Sequence, residues 1–472
     1  MNPELPINDE LDRVLARQRS AFMADPVPGV AQRRQDLRSL RRFLHEQGDD
    51  LCRAVSEDFG HRSAHETRLL ELAPLIGGID HALRHLERWM RPQRRPVQTL
   101  AFGLARNRVV PQPIGVVGVI VPWNFPLFLS LGPLTSVLAA GNRAMLKMSE
   151  NSRALTRLMM ERMPDYLASD KLAIFEETGG VGQAFSALRF DHLMFTGSGN
   201  TARAVMAAAA RNLCPVTLEL GGKSPAVIAE DYPLQKAVER IMWVKCLNAG
   251  QICTTVDHVW LPEGAQAAFA AHARSFVEAR YGRLDSTDYT SIIDTRSFER
   301  LRAAVEQAVA QGATVLALLP GEPFDPVRRR IAPMLVFNAP PGCALMQREI
   351  FGPILPVLGY RHLDDVVAAI NAGPRPLALY PFSHDRALLR SLLARVLSGG
   401  VTINDALFHV AQHDLPFGGI GESGMGHYHG REGFETFSKM RPVFEQARLS
   451  PLRLMWPPYG RLADRLLNYL LR

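Results

Sequence analysis

The sequence predicts an α/β protein with two parallel-sheet domains. Three observations carry that expectation. Short apolar β runs alternate with helical patterns, the alternation stops and restarts near the middle of the chain, and 472 residues are too many for one ordinary core.

The first series of strands is Gly115–Pro122, Ala144–Lys147, Leu172–Phe175, His192–Phe195 and Pro215–Leu220. Each is a short apolar run, as a strand buried on both faces requires. Helical patterns lie between them. Leu127–Ala140 is closed by Gly141-Asn142, a pair suited to the left-handed end of a helix. Ala202–Arg211 is rich in alanine. The second series is His258–Leu261, Thr314–Leu319, Met334–Phe337 and Ile354–Leu358, with a helix over Phe298–Gln311. The boundary between the series falls near Thr217–Gly222, and no internal repeat is visible. From Asp414 the chain is glycine-rich, then changes character near Pro442. At the end, Leu462, Leu466, Tyr469 and Leu470 share one face of a short helix. Twelve residues of helix span only ~18 Å, too little for a bilayer, so packing on the protein or on a partner subunit is expected.

Composition narrows the class. The chain is 47% hydrophobic and 21% charged, with a formal charge of +7. The basic stretch Arg91-Pro-Gln-Arg-Arg-Pro96 lacks interleaved aromatics and any nucleic-acid motif, so it reads as a solvated loop and no nucleic-acid partner is expected. Five cysteines without a CxxC fit free thiols in a reducing compartment. The N-terminus has no apolar signal core, and no run is long enough for a membrane span. A cytoplasmic location follows as the expectation, without membrane association and without a metal site.

One stretch invites a wrong reading. Leu218–Pro225, LELGGKSP, ends like a phosphate-binding P-loop, but the glycine required five positions before Gly222 is Thr217. The nest of amides that would wrap phosphates is incomplete. A second stretch, Leu247-Asn-Ala-Gly-Gln-Ile-Cys253-Thr-Thr, puts a cysteine among polar residues just after a glycine. A lone cysteine usually packs as a small hydrophobe; a nucleophile needs a base and an oxyanion donor beside it.

Five motifs supply those partners together. They are VPWNFP (Val121–Pro126), LELGGKSP, NAGQIC (Asn248–Cys253), EIFGP (Glu349–Pro353) and the stretch Pro416–Lys439. In this order, with Cys253 34 positions after Glu219, they resemble the aldehyde dehydrogenase superfamily over nearly the whole chain. The resemblance implies a fold of two Rossmann-like parallel-sheet domains plus a small oligomerisation hairpin. It divides the chain into a cofactor-binding domain (1–90 and 113–218), a catalytic domain (219–403), an oligomerisation element (91–112 and 404–445) and a C-terminal tail helix (446–472).

The same resemblance assigns roles. Cys253 is the expected nucleophile, because a thiolate adds to a carbonyl and later leaves from a thioester. Asn124 would donate to the oxyanion with the Cys253 amide, a contribution of ~3 kcal/mol per donor. Glu219 would activate the water that hydrolyses the thioester. Cofactor contacts are implied at Trp123, Lys147, Glu150, Gly197, Ser198, Glu349 and Phe351. No GxGxxG is present; Ser198 would meet the pyrophosphate at a helix N-terminus. The family's second glycine, five residues after Gly197, is Ala202, whose methyl is expected to alter how closely helix and cofactor approach. Glu150 disfavours a 2′-phosphate by repulsion, so NAD is expected first, with NADP possible. Asp58–Ser63, His65–Thr67 and His409–Pro416 resemble coniferyl aldehyde dehydrogenases within the class 3-like branch. The implied substrate is a hydrophobic aldehyde, aromatic or medium-chain aliphatic, and the implied assembly a homodimer built on Arg91–Arg108 and Pro416–Phe444. Trp123, Phe125, Trp243 and Phe408 are candidate pocket residues. Two other readings stand beside this one: an acylating enzyme in which coenzyme A takes the thioester, and a catalytically silent scaffold at a membrane surface.

Overall fold

Val116–Ile120 is five consecutive apolar residues or glycine, and all five are buried, the mark of a strand covered by helices on both faces. In the computed structural model, which describes residues 7–471, this strand is at the heart of a six-stranded sheet. Residues 1–6 and 472, which carry the ends of the 1–90 and 446–472 segments, lie outside the described residues. In spatial order the strands are Gly424–Met425, Val216–Glu219, His192–Thr196, Val116–Ile120, Arg143–Lys147 and Leu172–Phe175. All pair in parallel except Gly424–Met425, which returns from far along the chain to lie antiparallel on Val216–Glu219, with Gly424 opposite Glu219. The five strands expected from the sequence are all present. The sixth was not expected, because two residues carry no periodicity.

The second sheet has seven strands in the order Thr314–Ala317, Met334–Phe337, Ile354–Tyr360, His258–Pro262, Pro225–Ile228, Ala378–Phe382 and Gly400–Val401. Three of these escaped the sequence reading. Pro225–Ile228 and Ala378–Phe382 each carry a proline, which argues against a central strand when only sequence is in view. Gly400–Val401 is two residues long. Thr314–Ala317 pairs antiparallel at the edge, against the expectation of a purely parallel sheet.

Helices cover both sheets. Phe128–Ala140 ends at Gly141 in the left-handed conformation, φ +89°, as its closing Gly-Asn suggested. Gly199–Ala210 begins on Ser198, whose hydroxyl caps the Thr201 amide at 3.4 Å. The first ninety residues, unassigned from sequence, form helices over Ile7–Ala24, Val30–Glu46, Gly48–Phe59 and Ala64–Met90. The last of these contains one wide π turn at Arg68–Leu72. A separate three-stranded antiparallel sheet joins Gln93–Arg95, Arg106–Pro113 and Ser438–Glu445.

The terminal helix is Arg461–Leu470. Against its own chain it buries Ala463, with Leu466 half-buried, and leaves Leu462, Tyr469 and Leu470 exposed. No helix among the described residues is long and apolar enough to cross a membrane.

Candidate active site

Ligand clefts in open parallel sheets form outside the carboxyl ends of the strands, where chain order reverses. Here the reversal lies between Val116–Ile120 and His192–Thr196. The chain leaving the first gives Trp123 and Asn124, and the chain leaving the second gives Gly197 and Ser198. Lys147 and Glu219 end their own strands at the same edge. From the second sheet's side come Cys253 and, after a loop, Glu349 and Phe351.

Cys253 follows a turn that few sequences tolerate. Asn248, Ala249 and Gly250 all have positive φ, at +50°, +49° and +71°. Such a run is costly for residues with a side chain, so neighbours must hold it. At Gly250 a side chain is also excluded, since a Cβ would stand 2.3 Å from the Gly352 carbonyl oxygen. The retaining groups are buried. Glu66 accepts the Asn248 amide at 3.1 and 3.2 Å and the Thr290 hydroxyl at 2.6 Å. The Gln251 side chain donates to the carbonyls of Asn248 (2.9 Å) and Ser291 (3.1 Å).

Asn124 is tied to the same turn. Its side-chain amide donates to the Gln251 carbonyl at 3.3 Å, and its carbonyl accepts from Asn248 and from Arg62, both at 3.2 Å. Arg62 is fully buried and paired with Glu71 at 2.8 Å. Glu71 in turn accepts the amides of Leu127 (2.8 Å) and Phe128 (2.9 Å). Arg62, Glu66 and Glu71 were not singled out from sequence. Arg62 and Glu66 fall in stretches noted only as family markers and Glu71 lies beyond them, because a charged residue reads as surface until its burial is seen.

The Cys253 thiol is pushed up to about 12, first by burial and then by the carboxylates of Glu349 and Glu219; its own amide and that of Thr254 work the other way. Glu219 is 3% exposed, and neither carboxyl oxygen has a hydrogen-bond partner. Burial holds its carboxyl well above the usual range. Cys253 opens into an apolar cavity of about 300 Å³, walled by Leu69, Phe125, Phe128, Leu407, Phe408 and Phe417 among others. Of the four aromatic pocket candidates, Phe125 and Phe408 line it. Trp123 instead meets Phe351 edge-on at 5.4 Å, and Trp243 sits behind Phe408 at 5.4 Å.

A dinucleotide fits the remaining residues. Oε1 of Glu349 is buried without a partner, as an acceptor waiting for a hydroxyl would be. Burial raises this carboxyl to about 8. Ser198 stands exposed at the start of Gly199–Ala210, where free amides favour a phosphate. Ala202, in the first turn of that helix, is buried with Val205 in the core. Lys147 pairs with Glu177 at 2.6 Å, a partner sequence reasoning missed. Glu150 is exposed on the same side. No hydrogen bond or ion pair among the described residues joins Lys147, Glu150 or Ser198 to the Cys253 group.

Residues 8–443 match the model of the aldehyde dehydrogenase family. The chain belongs to the aldehyde dehydrogenase family. It is therefore an NAD(P)-dependent oxidoreductase acting on aldehydes. Among its relatives, a probable coniferyl aldehyde dehydrogenase of Pseudomonas aeruginosa is 47% identical, over 97% of this chain and 95% of that protein. The coniferyl aldehyde dehydrogenase of a Pseudomonas species is 41% identical, over 98% and 96%. Of solved aldehyde dehydrogenases, the substrate-bound Staphylococcus aureus AldH superimposes with a TM-score of 0.92 at 30% identity, covering 98% of this chain and 99% of that one. The Mycobacterium tuberculosis enzyme complexed with NAD+ does so at 0.83 and 25%, covering 93% and 90%.

Proposed function

We propose that this aldehyde dehydrogenase oxidises a hydrophobic aldehyde of the coniferyl type, an aromatic enal, to the carboxylic acid. Cys253 is the nucleophile, Asn124 the oxyanion donor and Glu219 the base. The observation that carries the reading is the placement of Cys253 on the wall of an apolar cavity, with the unpartnered Glu219 carboxyl near enough to raise its thiol. The relatives named for coniferyl aldehyde support the aromatic choice.

In this reading the Cys253 thiol gives its proton to water and Sγ bonds to the carbonyl carbon. The oxygen becomes an alkoxide that accepts from the Asn124 amide. NAD+, held there, would supply the oxidant, taking up hydride from the former carbonyl carbon so that a thioester is left on Cys253. Glu219 in its ionised form takes a proton from water; the hydroxide bonds to the acyl carbon and the Cys253 thiolate leaves. The cavity walls orient the aldehyde and keep bulk water from the thioester.

Trp123, Lys147, Glu150, Gly197, Ser198, Glu349 and Phe351 are proposed to hold the cofactor. The exposed Glu150 carboxylate favours NAD over NADP, since it would repel a 2′-phosphate. A homodimer built on the three-stranded sheet is proposed, with Phe444 exposed there for a partner. A cytoplasmic location fits five cysteines that are all free.

The deciding experiment compares variants on cinnamyl, benzyl and C6–C12 aldehydes with NAD+ and with NADP+. Cys253→Ala is expected to abolish oxidation, and Glu219→Gln to give one burst of reduced cofactor and then stall. Steady turnover by Glu219→Gln would refute the role given to that carboxyl. Acid formation that strictly requires coenzyme A would instead make the enzyme acylating.

A further inference from the structure

Lys223 of the LELGGKSP stretch has no place in the reaction above. Its ammonium lies beneath the loop that carries Glu349. Nζ donates to the carbonyls of Leu345 at 2.7 Å and Arg348 at 3.1 Å, and to Asp257 Oδ2. The other oxygen of Asp257 accepts the Ile350 amide at 2.9 Å. Glu349 stands between Arg348 and Ile350 in the chain, so the ion pair holds the peptide on each side of it. Asp257 is 1% exposed and immediately precedes His258–Pro262, a central strand of the second sheet, which makes the anchor rigid.

The two glycines complete the cradle. The Gly222 amide faces the Glu349 carboxylate and favours its charged form. Gly221 leaves room for that carboxylate, since a Cβ there would stand 2.1 Å from Oε2. A lysine suits this place because its compact head offers three donors and all three are engaged. Lys245, buried nearby, bonds instead to the Val256 carbonyl at 2.9 Å, and Arg300 to the Ile350 carbonyl at 2.9 Å. Neither touches the two carbonyls that Lys223 grips.

We infer that Lys223 and Asp257 are positioning residues for the nicotinamide cofactor, clamping the peptides that flank Glu349 and so fixing the carboxylate that takes the ribose. The inference rests on the reading of Glu349 given above. The clamp acts through Glu349 and not on the cofactor directly, so the two should be coupled energetically.

The test is NAD+ binding measured calorimetrically, without aldehyde, for wild type, Lys223→Gln, Glu349→Gln and the double variant. Lys223→Gln is expected to weaken NAD+ about tenfold. The double variant should be no weaker than the weaker single one. Losses that multiply in the double variant, or an unchanged Kd in Lys223→Gln, would overturn the inference. An unchanged Kd in Glu349→Gln would overturn the reading of Glu349 itself, which separates the two failures. Because Lys223→Gln leaves Asp257 buried without its cation, Lys223→Gln/Asp257→Asn is carried through the same cycle with the same outcomes. A merely structural pair would lose affinity equally with Glu349 or Gln at 349.

Discussion

At the residue scale, the Cys253 thiol and the Glu219 carboxyl are both raised by burial. The Cys253 thiol at about 12 is far from the neutral range, so only a small fraction is thiolate at pH 7. Alkylation of Cys253 by iodoacetamide, followed by mass spectrometry, should climb about tenfold per pH unit between pH 7 and 9 without levelling. A plateau near pH 8 would show an activated thiolate in the free enzyme. Glu219 makes a stability argument of definite sign. Its carboxyl is raised in the folded chain, so between the ordinary value of 4.5 and the raised one the folded state holds a proton that the unfolded state has lost. Stability contributed by the protonated form is present at low pH and declines as pH rises above about 4.5. Glu219→Gln should therefore raise the melting temperature at pH 8 and change it little near pH 4. The identity of both residues was legible in the sequence because their motifs are short, contiguous and ordered. Their protonation was not, since it depends on burial by segments far away in the chain.

At the element scale, the turn Asn248–Gly250 is the feature that aims Cys253, and it is held by a helix nearly two hundred residues earlier. Removing the carboxylate in Glu66→Ala leaves the Asn248 amide and the Thr290 hydroxyl buried without an acceptor. A loss of about 2–5 kcal/mol in urea unfolding is expected, with a fall in kcat and an unchanged NAD+ affinity. The wide turn at Arg68–Leu72 serves the same region: Leu69 and Leu70 line the cavity while Glu71 reaches the start of Phe128–Ala140. Periodicity revealed the main strands because four or five apolar residues in a row leave few alternatives. It failed at Pro225–Ile228 and Ala378–Phe382, where tertiary pairing overrides what proline suggests locally.

At the scale of the whole molecule, the aldehyde cavity reaches Cys253, whose thiol is raised by Glu349 and Glu219 from the proposed cofactor side. The tail from Ala447 onward adds no strand to either sheet, and its terminal helix leaves most of its apolar surface exposed. Truncation after Gln446 should leave kcat within about twofold, while light scattering reads any change in self-association. How the sheets divide the chemistry was visible from the order of the motifs; which loops touch was not, because it depends on crossovers that no local pattern encodes. One of those crossovers matters beyond the site. Leu220–Ser224 is the first of two passages between the sheets, the chain returning between Val401 and Gly424, and its Gly222 amide faces the Glu349 carboxylate. Breathing of one sheet against the other at this passage would draw that amide away from the carboxylate. The Gly222 amide is thus a built-in gauge of how often the enzyme opens, and its deuterium uptake, slowed by NAD+, would report interior motion that no turnover assay sees.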